Sequence, residues 1–261
     1  MTLVRRAPHP ALARHVRDYY GFREDTGAPL LRREGPGSSV VLIISFGHEW
    51  RIGDALRPSA PFERLTSFVG GLRASSVLSQ HAGRSNGMQV NLTPLAAHTL
   101  FRVPMHELSG AVVPVDALLG DDANRLVERL HDAPSWDERF ALVEAALATR
   151  LAAAAPTPGA EWAWRQIFET RGRVRIGALC DELGWSRRRL AATFREEIGL
   201  PPKVVTRLVR LEHAVELAQS GRGWAQVAYA SGYYDQSHLV NEFREITGTT
   251  PKAFVASTIA A

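Results

Sequence analysis

Two groups of polar side chains in the last hundred residues have the types and spacing for hydrogen-bonding chemistry on planar partners. Arg187, Arg188 and Arg189 follow Ser186, with Ala191, Ala192 and Arg195 beyond; Gln236, Ser237 and His238 follow Asp235, with Asn241 and Arg244 beyond. A guanidinium carries a planar fork of donors that fits the O6 and N7 edge of guanine, and a carboxamide fits the N6 and N7 edge of adenine. Successive helical residues are rotated by about 100°, so Arg188, Ala191, Ala192 and Arg195 share one face while Leu190 and Phe194 share the other. By the same rule Ser237, Val240, Asn241 and Arg244 oppose Leu239 and Phe243, with Gln236 near the helix start. Arg188, supported by Arg187, is the best candidate for a bidentate guanine contact; Ala191 and Ala192 permit close approach and contact with a thymine methyl. Gln236 and Asn241 suit adenine, whereas His238, Arg195, Arg244, Lys203 and Lys252 suit phosphates or structural roles. A merely solvated helix face competes as an explanation of the arginine run, and it weighs most for Arg189 and His238.

Enzymatic chemistry leaves no comparable trace. GxSxG, HExxH, P-loop and GxGxxG patterns are missing from the sequence, and each would be needed for the chemistry it signals. His9, His15, His48, His81, His98 and His106 are scattered, with no paired spacing on one element. Cys180 is the only cysteine, which excludes an internal disulfide and a cysteine cluster; its apolar neighbours Leu179 and Leu183 make it a packing residue by default. Trp162, Trp164, Trp185 and Trp224 read as core or interhelix packing. Gly70-Gly71 permits close approach of a ligand, although a turn between strands explains the pair more cheaply. No cofactor and no metal are expected. A module that binds another protein, or an enzyme with an unrecognised N-terminal site, remains the alternative class.

The two polar groups lie on an internal repeat. Residues 176–202 resemble residues 224–251: Leu179 matches Val227 and Gly184 matches Gly232 at a separation of 48, whereas Leu190 matches Leu239, Phe194 matches Phe243, Gly199 matches Gly248 and Pro202 matches Pro251 at 49. One residue has been added in the second turn. Each copy has a short apolar-periodic helix, a glycine able to take positive φ, an N-cap (Ser186 or Asp235) and a second helix closing at glycine, the parts of a helix-turn-helix. Between the copies, residues 204–221 carry Val205, Leu208, Leu211, Val215 and Leu217 or Ala218 at helical spacing. Such a helix is about 25 Å long, enough to set two units on neighbouring turns of one groove.

The segment from about residue 165 to 255 is similar to the AraC/XylS transcription regulators. The resemblance rests on GWSRRRLAATFREEIGLPP, on RLEHA at 210–214 and on GYYDQSHLVNEFREITGTTP at 232–251. The last stretch departs from the family signature at Leu239, where an aromatic residue is usual, and at Glu242, which is expected near the surface. The resemblance implies double-stranded DNA as partner and base readers in the first two turns of each second helix. It further implies control by a small-molecule effector or by homodimerisation, and contact with RNA polymerase if the protein activates.

Upstream, SVVLIISF at 39–46 and MQVNL at 88–92 read as strands, and LAAHTLF and DDANRLVERL as helices. Ser135 and Glu138 form a capping-box pattern before an amphipathic helix with Phe140, Val143, Leu147 and Leu151 on one stripe. FVGGLRASS and the stretch from MQVNL onward look like the sensor-type domains joined to such regulators. LAAAAPTPGA at 151–160 reads as a helix end followed by a linker. The expectation is an α+β sensing or dimerisation domain over 1–155, then an all-α DNA-binding domain of two helix-turn-helix units joined by a linking helix over 160–261. In 261 residues the formal charge is +4, and after residue 160 there are 14 Lys+Arg against 11 Asp+Glu. This excess permits an anionic partner without requiring one. No apolar run reaches the length of a membrane span and MTLVRRAPHP lacks a secretory h-region, so a cytoplasmic location with no membrane partner is expected.

Overall fold

A computed structural model describes residues 2–152 and 155–259 of the chain. Among the described residues the N-terminal half holds ten strands: β1 (Thr2–Arg6), β2 (Val16–Asp25), β3 (Leu30–Glu34), β4 (Val40–Ser45), β5 (Trp50–Asp54), β6 (Glu63–Leu65), β7 (Phe68–Gly70), β8 (Val77–His81), β9 (Arg84–Leu92) and β10 (Val112–Pro114). One sheet runs β1-β2-β9-β4-β7-β10 and the other β3-β8-β5-β6. The pairings are antiparallel. Helices α1 (Pro94–Phe101), α2 (Met105–Leu108), α3 (Val115–Leu119), α4 (Asp121–Asp132) and α5 (Trp136–Leu151) complete this half. The expected run 39–46 is β4, with Val40, Leu42, Ile43 and Ile44 buried, and MQVNL is the second half of β9.

Strand β2 escapes a period-of-two reading because its register shifts between Val16 and Asp18. Its Gly21 is required by packing: a Cβ there would stand 2.2 Å from the Trp136 ring. Ser135 caps α5 by accepting the Glu138 N–H at 3.3 Å, and Phe140, Val143, Leu147 and Leu151 are all buried along it. That stripe packs α5 into the core as its spacing predicts.

The segment 151–160 leads from α5 into α6 (Pro158–Glu169); Ala153 and Ala154 lie outside the described residues, as do Met1, Ala260 and Ala261 at the ends of the expected domains. Beyond α6 come α7 (Ile176–Leu183), α8 (Arg187–Glu197), α9 (Pro202–Gln219), α10 (Trp224–Ala230), α11 (Gln236–Thr247) and α12 (Pro251–Ile259). The largest core cluster starts at Leu12, takes in Val90, Phe101 and Phe140, and continues without a break through Ile167, Leu179, Leu190, Phe194 and Val209. Thus α7 and α8 share a core with the sheet half, whereas α10 and α11 rest on two smaller clusters. Among the described residues no helix is long and apolar enough to cross a membrane.

Candidate nucleic-acid interface

Each pair α7–α8 and α10–α11 is built by the same local rules. Gly184 and Gly232 have φ of +61° and +77° in the turns that follow α7 and α10. Side chains with a Cβ are strained in that region, so glycine lets the chain reverse. Ser186 Oγ accepts the Arg189 N–H at 3.1 Å and Asp235 Oδ1 accepts the His238 N–H at 2.7 Å. Both second helices therefore begin on a side-chain cap that satisfies an otherwise free donor.

Leu190, Phe194, Leu239 and Phe243 are each 0 % exposed. Arg187, Arg188, Arg189, Ala191, Ala192 and Arg195 on α8, and Gln236, Ser237, His238, Asn241 and Arg244 on α11, are exposed; Val240 is intermediate. Among the described residues the guanidinium groups of Arg187, Arg188, Arg195 and Arg244 and the amides of Gln236 and Asn241 make no hydrogen bond or ion pair within the chain. Arg189 and His238 have internal work instead. The Arg189 guanidinium lies 4.4 Å from the Trp185 ring, and His238 Nδ1 accepts the Tyr234 N–H at 3.3 Å.

Linking helix α9 buries Val205, Leu208 and Leu211, as its spacing predicts, and also Val209 and Ala214; Val215, Leu217 and Ala218 are half-buried. Cys180 is buried in the core, and Trp164 is buried beside Phe168.

Glu242 corrects the expectation of a surface position, being only 8 % exposed. Its carboxylate takes hydrogen bonds from Arg207 Nε at 3.1 Å and from Arg210 Nη2 at 3.0 and 3.1 Å, tying α11 to α9. Helical arithmetic contained the signal: residue 242 lies three positions after Leu239 and four before Ile246, both on the buried stripe.

A cavity of about 650 Å³ between the two sheets and α9 was not legible in the sequence. Phe22, Ile43 and Phe68 give it an apolar wall, while Glu212 and Val215 reach it from α9. Glu212 also accepts the Ser38 backbone N–H at 2.7 Å and the Ser38 hydroxyl at 2.5 Å, and pairs with Arg17 at 3.5 Å. Arg32 holds the buried Glu24 carboxyl below the usual carboxylate range, with a guanidinium hydrogen bond of 2.8 Å. Burial pushes neighbouring His81 below the ordinary imidazole value, and its Nε2 lies 3.1 Å from the same carboxylate. Gly70 and Gly71 line the cavity too, but Gly71 is needed for packing, since a Cβ would stand 1.9 Å from the Leu108 carbonyl oxygen.

Residues 179–257 match the family model described as a helix-turn-helix domain, and residues 4–114 match a domain of unknown function, DUF6597. No curated protein matches the chain. Among solved structures, an apo variant of ToxT from Vibrio cholerae is 12 % identical with a TM-score of 0.52, over 97 % of this chain and 99 % of that one. Wild-type ToxT from Vibrio cholerae bound to an unsaturated fatty acid is 12 % identical with a TM-score of 0.50, over 96 % of each chain. At such identities the likeness is one of fold, a β-rich half followed by helical helix-turn-helix units. With that domain match laid on the duplicated, capped and polar-faced helices described above, residues 179–257 form a tandem helix-turn-helix domain of the AraC type.

Proposed function

We propose that the protein recognises operator DNA with α8 and α11 and that a small molecule held in the sheet-half cavity controls this binding. Two functional units, over 1–155 and 160–261, divide the work. Arg188 reads guanine, with Arg187 and Arg189 beside it and Ala192 admitting close approach; Gln236 and Asn241 read adenine. Ser237, His238, Arg195 and Arg244 hold the flanking backbone. The single observation that carries the reading is the division of both second helices into a wholly buried apolar face and an exposed face whose base-reading groups have no partner among the described residues.

Arg188→Ala is expected to cost roughly 1–3 kcal/mol of specific binding, and Lys252→Ala to weaken all sequences about equally. Titrations of a selected operator duplex and of mixed-sequence DNA over a salt series check both. Unchanged specificity and salt slope in Arg188→Ala would refute the assignment.

The cavity has the size of a small-molecule site, and Glu212 joins its lining to the helix that carries both units. ToxT, similar in fold, binds an unsaturated fatty acid, which supports control by a small-molecule effector. Homodimerisation, RNA polymerase contact during activation and a cytoplasmic location complete the proposal.

A further inference from the structure

Tyr229 and Tyr234 are 86 % and 92 % exposed, whereas the other exposed large apolar side chains among the described residues, Leu3, Leu31 and Leu56, reach only 38–51 %. Both tyrosines flank the turn between α10 and α11. The internal repeat shows what is unusual about them. Between glycine and N-cap the first copy has only Trp185, whereas the second has Tyr233 and Tyr234. Tyr233 takes the packing role of Trp185, being 4 % exposed with Arg210 stacked 4.8 Å from its ring. Tyr234 is therefore the added residue, and the addition places an aromatic ring in solvent. Tyr229 occupies the position held by Asp181 in the first copy, so an acid has been replaced by a neutral phenol.

The turn fixes the backbone that carries these rings. The Tyr234 N–H donates to His238 Nδ1 at 3.3 Å, and the Gly232 N–H donates to the Tyr229 carbonyl at 3.1 Å. Tyr234 thus precedes the cap of α11 by one residue, next to Gln236 and Ser237. In a helix-turn-helix the first helix crosses the DNA backbone and the second enters the groove from its N-terminal end, so phosphates pass beside this turn.

We propose that Tyr229 and Tyr234 form a neutral contact to the DNA sugar–phosphate backbone along the rim of the groove entered by α11. Each phenol O–H donates to a phosphate oxygen and each ring packs on deoxyribose. A tyrosine has few rotatable bonds to immobilise and joins apolar area to a donor, which suits it to the task. This inference rests on α11 being a recognition helix. It gives the second unit an uncharged anchor that the first lacks.

Neutral donors displace no counterions, so their loss lowers affinity without altering the salt dependence. Full-length Tyr234→Ala and Tyr229→Ala are each expected to bind a mixed-sequence duplex of about three helical turns roughly three- to tenfold more weakly, with the slope against log salt unchanged. Tyr234→Phe should recover part of the loss. In the wild-type chain, the same duplex should protect both tyrosines from nitration by tetranitromethane, read by peptide mass spectrometry. Variants that bind like wild type, a slope that falls with affinity, or equal nitration with and without DNA would each overturn the proposal. If both variants bind DNA normally but lose stimulation of RNA polymerase, the surface is a protein interface and the proposal is likewise overturned. A wild-type chain with no salt-sensitive DNA binding would instead defeat the reading of α11 itself.

Discussion

Phe243→Ala is expected to lose about 3–5 kcal/mol of stability in the second helix-turn-helix, the cost of removing a fully buried aromatic side chain and leaving a void. The consequence should exceed that figure in functional terms because of where the ring sits. Phe243 packs with Leu208, Leu211, Ile246 and Phe254, a cluster of five buried residues, and its ring meets that of Phe254 edge-on at 5.3 Å. So small a cluster has few other contacts to hold it together. By contrast, the equivalent Phe194 is anchored in the core shared with the sheet half. Chemical denaturation of Phe243→Ala should therefore show an early transition for α10–α11 ahead of the main one, as expected when one region opens below the global free energy. DNA contacts of α11 should disappear while those of α8 persist. A single unshifted transition would contradict the division of the helical region into one anchored and one lightly supported unit.

Glu242→Ala should cost about 2–4 kcal/mol, less than the full penalty for breaking a buried ion pair because the two arginines keep partial contact with water. The side chains of Arg207 and Arg210 are 24 % and 19 % exposed against 8 % for Glu242. After truncation Arg207 retains Glu245 at 2.8 Å, whereas Arg210 is left with no carboxylate among the described residues. Glu242→Gln keeps one acceptor and should lose less. The midpoint of urea denaturation, compared among the three proteins at constant slope, checks the order. Equal midpoints for Glu242→Ala and wild type would show that α9 and α11 are held by apolar packing alone.

The helical half was legible because its signals are local. Glycine at the turn, an oxygen-bearing cap two or three residues later, and a leucine–phenylalanine pair four apart specify a short helix and its buried face without knowledge of the partner. The same locality hides the burial of Glu242: its charge points to water, but two arginines from a helix some thirty residues earlier satisfy it inside. The sheet half carries fewer such local signals. Only β4 and the end of β9 have the uninterrupted or alternating pattern that sequence reasoning detects. β3 carries three charged residues in five, and β2 is interrupted by a register shift and by Gly21, whose size answers to a tryptophan more than a hundred residues away. The cavity and the Ser38–Glu212 contact are products of tertiary pairing between segments 174 residues apart, for which no single stretch holds a signal.

The added Tyr234 lies between these cases. Its insertion was countable from the repeat spacing, but which of two adjacent tyrosines is buried depended on packing against Arg210.

Protection of guanine N7 from dimethyl sulfate on a selected operator tests most directly whether α8 and α11 enter the major groove together. The expected pattern is two protected segments on one face of the duplex, about 10 base pairs apart, with Arg188→Ala releasing guanines in only one of them. A single protected segment, or two on opposite faces with neither altered by Arg188→Ala, would contradict recognition by the paired helices.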